Sequence, residues 1–293
     1  MDHMLRDKKI IFLFVFPSIV IFTITVFLPI LWSGYYSLFS WNGVGKMKFV
    51  GLANFISLLK DRHFYNAFTN NILYLLINLI GQVGIALLLA LFLHKLKWGN
   101  SFFKTVYFAP AILSGVAVCH AFKNFYTTDP PGLFNIILKT IGLGKYQKAW
   151  LGTIETALPS VALIECYKNM GIYLVIIYAG LLSIPTEIIE SAQLDGAKGW
   201  ALFWNIKFPF LKNVLSAALI MAVNGLLKAF DIPYITTYGG PGDASELVAT
   251  YMYKTAFSSA KYGYGSSIAV VIAIECIVFI SILQFLLKRK NSM

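Results

Sequence analysis

Five ionisable residues sit inside long apolar stretches of this 293-residue chain: Glu165, Lys168, Lys228, Asp231 and Glu275. A charge at the centre of a membrane-spanning helix costs about 2.5–3.5 kcal/mol, so such side chains face protein or water, and they mark ion pairs, proton relays or solute pathways. Glu165 and Lys168 are three residues apart, as are Lys228 and Asp231. On a helix that spacing puts both charges on one face and allows an ion pair. Each pair is therefore either a packing device or part of a polar wall; for Lys228 and Asp231, near the end of their stretch, structure or a gate is expected. Tyr167 and Tyr173 could offer stacking faces or simply pack. Glu275 shows no evident partner, and Asn224 is ambiguous in the same way.

Self-contained catalysis has no support. Gly43-Val44-Gly45-Lys46 lacks the spacing and the hydroxyl residue of a phosphate-binding loop. His3, His63, His94 and His120 are scattered without ligand spacing, so neither a metal site nor a catalytic set of residues is expected.

The elements that hold these charges must be membrane helices. Apolar residues make up 58% of the chain and charged ones 13%, with a mean hydropathy of +0.71. A soluble domain has far more charge, so a water-soluble enzyme, a disordered chain and a disulfide scaffold are excluded. The net charge of +11 fits anionic headgroups and membrane topology better than nucleic acid. Cys119, Cys166 and Cys276 all lie in apolar stretches and form no disulfide framework.

About six stretches are long enough to span: 10–31, 72–93, 105–122, 156–182, 214–234 and 266–287. The third is short, and Pro110 and Gly115 leave its ends open. The first is expected to be a retained anchor, since it is too long for a signal-peptide core and no small-residue cleavage site follows. With both termini inside, the inner connections (Arg6, Lys8, Lys9; Lys95, Lys97, Lys104; Lys198, Lys207, Lys212; Lys288, Arg289, Lys290) carry positive charge at about twice the outer density. The expected fold is an all-α integral membrane protein of six transmembrane helices forming one domain, with no soluble domain and no internal repeat.

The inner segment 183–212 reads as two short helices. Pro185 suits a first turn, and Glu187 and Glu190 follow where the helix N-terminus favours carboxylates. Gly196 can end the first helix in the left-handed conformation. Trp200, Phe203 and Trp204 share a face of the second, which Pro209 is expected to stop. Acidic Glu187, Glu190 and Asp195 argue against a helix lying among headgroups, which is usually basic. A knob that docks on a partner protein is favoured.

Here a resemblance enters. Glu190-Ser191-Ala192, then Gly196, and nine residues later Ile206-x-Phe208-Pro209 resemble the E-A-A-x-x-x-G-x9-I-x-L-P loop of the permeases of binding-protein-dependent ABC importers, with Ser191 and Phe208 departing from the usual Ala and Leu. Lys228-Ala-Phe230-Asp231 with Thr237-Tyr238-Gly239-Gly240-Pro241, Tyr262-Gly263-Tyr264-Gly265-Ser266-Ser267, and Phe49-Val50-Gly51-Leu52-Ala53-Asn54-Phe55 are similar to stretches of carbohydrate permeases, in order along nearly the whole chain. They resemble the first of the two permease types of sugar importers, the maltose and glycerol-phosphate kind.

The resemblance implies a type I importer permease whose Glu190, Ala192, Asp195, Gly196 and Trp200 couple to a cytoplasmic ATPase. It implies a second homologous permease, two ATPase subunits that bind ATP and magnesium, an extracellular solute-binding protein, and a sugar substrate, in the bacterial cytoplasmic membrane; no cofactor is expected on this chain. Glu165, Lys168 and Asn169 match by position places where the maltose-type relative contacts its sugar, which tilts them toward the cavity wall, beside Tyr167, Asn224, Lys228 and Asp231. The residue types differ there, so the ligand should differ. An importer for an amino acid, phosphate or polyamine shares the inner loop, and the Thr-x-Gly-Gly-Pro stretch argues against it. An ion-coupled secondary transporter using Glu165, Asp231 and Glu275 would predict internal repeats and discontinuous helices, neither evident in the sequence.

Overall fold

The computed structural model describes residues 8–96 and 98–289; Arg6, Lys97, Lys290 and His3 lie outside them. The chain is built from helices: α1 (Phe12–Tyr36), a hairpin of β1 (Phe39–Ser40) and β2 (Lys48–Phe49), α2 (Ala53–Leu58), α3 (Arg62–Lys95), α4 (Asn100–Ile112), α5 (Gly115–Phe125), α6 (Leu133–Thr140), α7 (Ile154–Leu182), α8 (Thr186–Leu194), α9 (Gly199–Leu226), α10 (Asp231–Thr237), α11 (Val248–Tyr253) and α12 (Tyr262–Arg289). Among the described residues five helices are long and apolar enough to cross a membrane, and α4 with α5, bent by 99°, pass the same test only as a pair.

Pro209, which sequence reasoning treats as a stop, is absorbed instead. Pro209 does not end the helix that carries Trp200: α9 runs on through a π turn at Phe203–Lys207, and Pro209 falls just after it. Pro29 stands in the same relation to the π turn Thr23–Phe27 in α1. A widened turn takes up the proline ring and its missing N–H, so the span continues.

The break in the third span is the larger departure. Residues 105–122 are not one helix, because α4 and α5 meet at 99°. Residues 214–234 are not one helix either: α9 ends at Leu226 and α10 begins at Asp231. Discontinuous helices are therefore present, and their supposed absence no longer counts against an ion-coupled transporter.

Residues 62–251 with 275–293 form one unit. At its centre α7 packs against α3, α4, α5, α9 and α10. Apolar attraction between helices is weak in lipid, and close approach through small residues replaces it. At Gly171 a Cβ would stand 2.1 Å from the Tyr107 carbonyl oxygen, so α4 crosses α7 backbone on backbone. Gly81, in the Gly81-Gln82-Val83-Gly84 run, faces Cys166, where a Cβ would lie 2.5 Å from the sulfur, whereas a Cβ at Gly84 would meet nothing within 4 Å; the close packing is carried by Gly81. The segment between α5 and α7 is tied by buried Asn135. Its amide donates to Thr127 O (2.8 Å) and Lys148 O (3.1 Å), and its Oδ1 accepts from the Trp150 indole (2.8 Å).

Residues 1–61 with 252–274 form the other unit. No residue of α1 is buried within the chain. The aligned motifs here have structural reasons. Asn54 donates to Ser37 O (2.7 Å) and Phe39 O (2.9 Å), bracing the hairpin. Gly263 lets the start of α12 meet the Phe39 carbonyl, which a Cβ would approach to 1.8 Å. The Tyr264 hydroxyl donates to Asp61 at 2.6 Å.

Candidate functional site

Within the larger unit, the broken helices leave a cavity of about 470 Å³ lined by Gly115, Glu165, Lys168, Asn169, Gly225, Lys228, Ala229, Phe230, Asp231 and Ile232. Its position follows from the backbone: α5 starts at Gly115, α9 has ended, and α10 starts at Asp231, so three helix ends surround one face of α7. Five of the seven wall residues expected from sequence are brought together: Glu165, Lys168, Asn169, Lys228 and Asp231. Tyr167 is not among the lining residues; it packs on Phe122, with ring centroids 5.2 Å apart. Asn224 is not either, and Tyr173 is buried.

Neither ion pair allowed by the spacing forms. Glu165 turns to other partners: the Tyr74 hydroxyl donates to Oε2 at 3.1 Å and the Asn169 amide to Oε1 at 2.6 Å. Lys168, Lys228 and Asp231 make no ion pair or side-chain hydrogen bond among the described residues. The reason for the second pair lies in the chain: α9 ends at Leu226, before Lys228, and Asp231 opens α10, so the two share no helical face.

The wall behind Glu165 is a polar row on α3 that sequence reasoning missed. Asn78 donates to Tyr74 O (3.0 Å), and Gln82 donates to Asn78 Oδ1 (3.1 Å) and reaches toward Glu165 O (3.4 Å). Amides at Asn71, Asn78 and Gln82, spaced along one helical face of an apolar stretch, were the available signal. Glu275 does have a neighbour: Asn71 Nδ2 lies 3.5 Å from its Oε1 and 3.4 Å from Leu227 O. Both residues are buried.

The Thr237–Pro241 motif builds a tight loop held to α3. The Thr237 and Ser245 hydroxyls are 2.7 Å apart, and Ser245 donates to Gly240 O at 2.7 Å. Asp243, at φ +63°, accepts at its carbonyl from Asn66 (2.9 Å) and Asn70 (3.0 Å), and its carboxylate meets His63 Nδ1 at 2.8 Å. His63, Asn66 and Asn70 follow one face of α3. A second, smaller hollow of about 240 Å³ lies between Lys123, Asp129 and Leu151; burial pushes the Tyr126 hydroxyl beside it up to about 12.

The 183–212 knob has one short helix, α8, and its expected second short helix is instead the first turns of the long α9. The chain turns at Gly196, with φ +88°, and the Ala197 N–H closes on Ala192 O at 2.9 Å. Ala192 is buried, whereas Glu190, Asp195 and Gly196 are exposed. Trp200, Phe203 and Trp204 form one cluster with centroids 5.1–5.7 Å apart. Its outer members stay uncovered, with Trp200 73% and nearby Leu194 89% exposed. Among the described residues no group of His, Cys, Asp or Glu could hold a metal ion.

Comparison with known proteins places this geometry. The family model described as "Binding-protein-dependent transport system inner membrane component" matches residues 9–292. A probable ABC transporter permease protein, YurN, of Bacillus subtilis (strain 168) is 39% identical over 276 residues, 92% of this chain and 94% of that one. The multiple sugar-binding transport system permease protein MsmF of Streptococcus mutans is 29% identical, covering 94% of each. AmyD of Thermoanaerobacterium thermosulfurigenes, a probable starch degradation products transport system permease protein, is 30% identical over 95% of this chain and 94% of its own. The crystal structure of a bacterial ABC transporter that imports the acidic polysaccharide alginate contains a chain with the same fold, at a TM-score of 0.83 and 21% identity, covering 98% of both.

Proposed function

Since the chain belongs to the family of binding-protein-dependent transport system inner membrane components, we propose that it forms one half of the translocation path of an ATP-driven importer for a sugar or oligosaccharide. The observation that carries this is the cavity at the helix breaks, where Glu165, Lys168, Asn169, Lys228 and Asp231 bring polar groups to one place inside apolar spans. Hydroxyl-rich solutes are held by such donors and acceptors. The names of MsmF and AmyD, relatives over nearly the full chain, support sugar as the solute class.

A second homologous permease supplies the other half of the path. Two cytoplasmic ATPase subunits, which hold the ATP and magnesium, dock on the knobs, and a solute-binding protein delivers sugar from outside. The chain lies in the bacterial cytoplasmic membrane with both termini inside. Transport is alternating access: ATP and the loaded binding protein favour the outward-facing state, and that differential affinity moves the equilibrium. In this chain Glu190, Ala192, Asp195, Gly196 and Trp200 carry the motion. The buried Ala192 and the Gly196 turn give the knob a fixed shape, and exposed Leu194 and Trp200 offer the ATPase an apolar grip.

The test is co-purification of the tagged chain from its native membrane, with mass spectrometry and an ATPase assay. Recovery of an ATPase subunit and a second permease, with ATPase activity raised by a sugar-loaded binding protein, is expected. A lone homo-oligomer showing proton-coupled uptake would overturn it.

A further inference from the structure

The short helix between α5 and α7 is inverted relative to a helix that faces water. In α6 the polar residue Asn135 is the buried one, its side chain bonded to Thr127 O, Lys148 O and the Trp150 indole. Its carbonyl accepts from the Gln147 amide at 2.8 Å. Phe134 packs beside it, with its ring 4.9 Å from that of Trp150 and 5.7 Å from that of Tyr126. The other face carries Leu133, Ile136, Ile137 and Ile141, whose spacing makes one helical stripe. These four side chains are 47–60% exposed, and exposed Leu143 and Tyr146 extend the surface past the helix end. A continuous apolar surface of this kind marks a contact with something apolar.

The position of the segment says what that is. α7 begins at Ile154 and has 29 residues, a length of about 43 Å that matches a bilayer with its headgroups. The knob follows the far end of α7 at Leu182. The start of α7, and the segment just before it, therefore lie at the headgroups of the opposite surface. The charges agree with this. Lys139, Lys145 and Lys148 are exposed, and no Asp or Glu occurs from residue 130 to residue 154. Lys145 Nζ stands over the Tyr146 ring, 5.0 Å from its centroid. Lysines and aromatic rings beside an apolar stripe are the composition of a helix lying among headgroups. The knob, with Glu187, Glu190 and Asp195, has the reverse character.

We propose that α6 lies in the bilayer surface opposite the knob, with Leu133, Ile136, Ile137 and Ile141 among the acyl chains and Lys139 and Lys145 at the headgroup phosphates. The Asn135 bonds tie this anchor to Trp150, four residues before α7. The bilayer surface thereby sets the height of the helix that carries Glu165 and Asn169. The placement is independent of which solute the importer carries.

The test uses the assembled complex, purified from native membranes and placed in nanodiscs of phosphatidylcholine and phosphatidylglycerol. Ile137→Cys, Ile141→Cys and Lys139→Cys each carry an environment-sensitive fluorophore; the three native cysteines are buried. All three positions are exposed in the chain, and subunit recovery shows that each variant has assembled. The labels at 137 and 141 should emit to the blue, lose fluorescence to lipids carrying a nitroxide high on the acyl chain, and resist aqueous iodide. The label at 139 should be quenched by iodide. Iodide quenching at 137 and 141 without nitroxide quenching would put the stripe in water and overturn the proposal. Protection from both quenchers would mean that another subunit covers it, and loss of nitroxide quenching on adding the solute-binding protein would assign the stripe to that protein; either overturns the proposal. A label at 139 as resistant to iodide as that at 137 would overturn the interfacial placement.

Discussion

Tyr74 reaches from α3 to α7 and donates its hydroxyl proton to Glu165 Oε2 at 3.1 Å. With Asn169 on the other oxygen, Glu165 becomes an anchor of the cavity wall rather than the free end of an ion pair. Removing the hydroxyl in Tyr74→Phe leaves a buried carboxylate oxygen without its donor, which costs about 1–3 kcal/mol. A clear drop in the melting temperature of the detergent-purified complex is the expected result; an unchanged value would remove Glu165 as an anchor.

Gly171 has no room for a side chain, since a Cβ would stand 2.1 Å from the Tyr107 carbonyl oxygen and 2.7 Å from the Phe108 Cα. Gly171→Val should force α4 from α7, at a cost of at least about 1–3 kcal/mol for overpacking. Gly225→Ala, where a Cβ meets nothing within 4 Å, serves as the control. Limited proteolysis in membranes should separate the two; equal resistance would contradict the close crossing.

The loop after α10 hangs on the side chains of Asn66 and Asn70, which both bind the Asp243 carbonyl. Each lost bond is worth about 0.5–1.5 kcal/mol. The double substitution Asn66→Ala with Asn70→Ala should raise hydrogen exchange across residues 238–246 while leaving α7 protected. Exchange unchanged in that loop would show that the clamp contributes nothing.

Gly196 turns at φ +88° with open space where a Cβ would point. A substitution there meets backbone strain of about 1–2 kcal/mol and no clash. Gly196→Val should therefore insert and assemble normally, yet weaken the coupling of ATP hydrolysis to uptake. Loss of membrane insertion in that variant would sink the coupling role of the knob.

The knob was legible because its signals are local: Gly196 needs only its own φ, and Trp200, Phe203 and Trp204 need only helical spacing. The membership of the cavity wall was legible in part, because Glu165, Lys168, Asn169, Lys228 and Asp231 are polar where the surroundings are not. What was not legible depends on tertiary packing. A 99° bend between α4 and α5 has no unique sequence signature beyond Pro110 and Gly115, and a π turn that rescues Pro209 cannot be told from a helix end. Spacing allowed an ion pair at Glu165 and Lys168, but Tyr74 arrives from a segment 91 residues away and takes the carboxylate first. The clamp on Asp243 spans even longer separations, and nothing near His63, Asn66 or Asn70 announces it.

Alternating access through this cavity is tested most directly at Asn169. Asn169→Cys, in a background whose three native cysteines are all buried, is labelled with a membrane-impermeant thiol reagent in right-side-out and inside-out vesicles containing the assembled importer. Labelling from the cytoplasmic side without nucleotide, switching to the outer side when ATP is bound with hydrolysis blocked, is the predicted result. Labelling from the same side in both states, or from neither, would contradict a translocation path at this site.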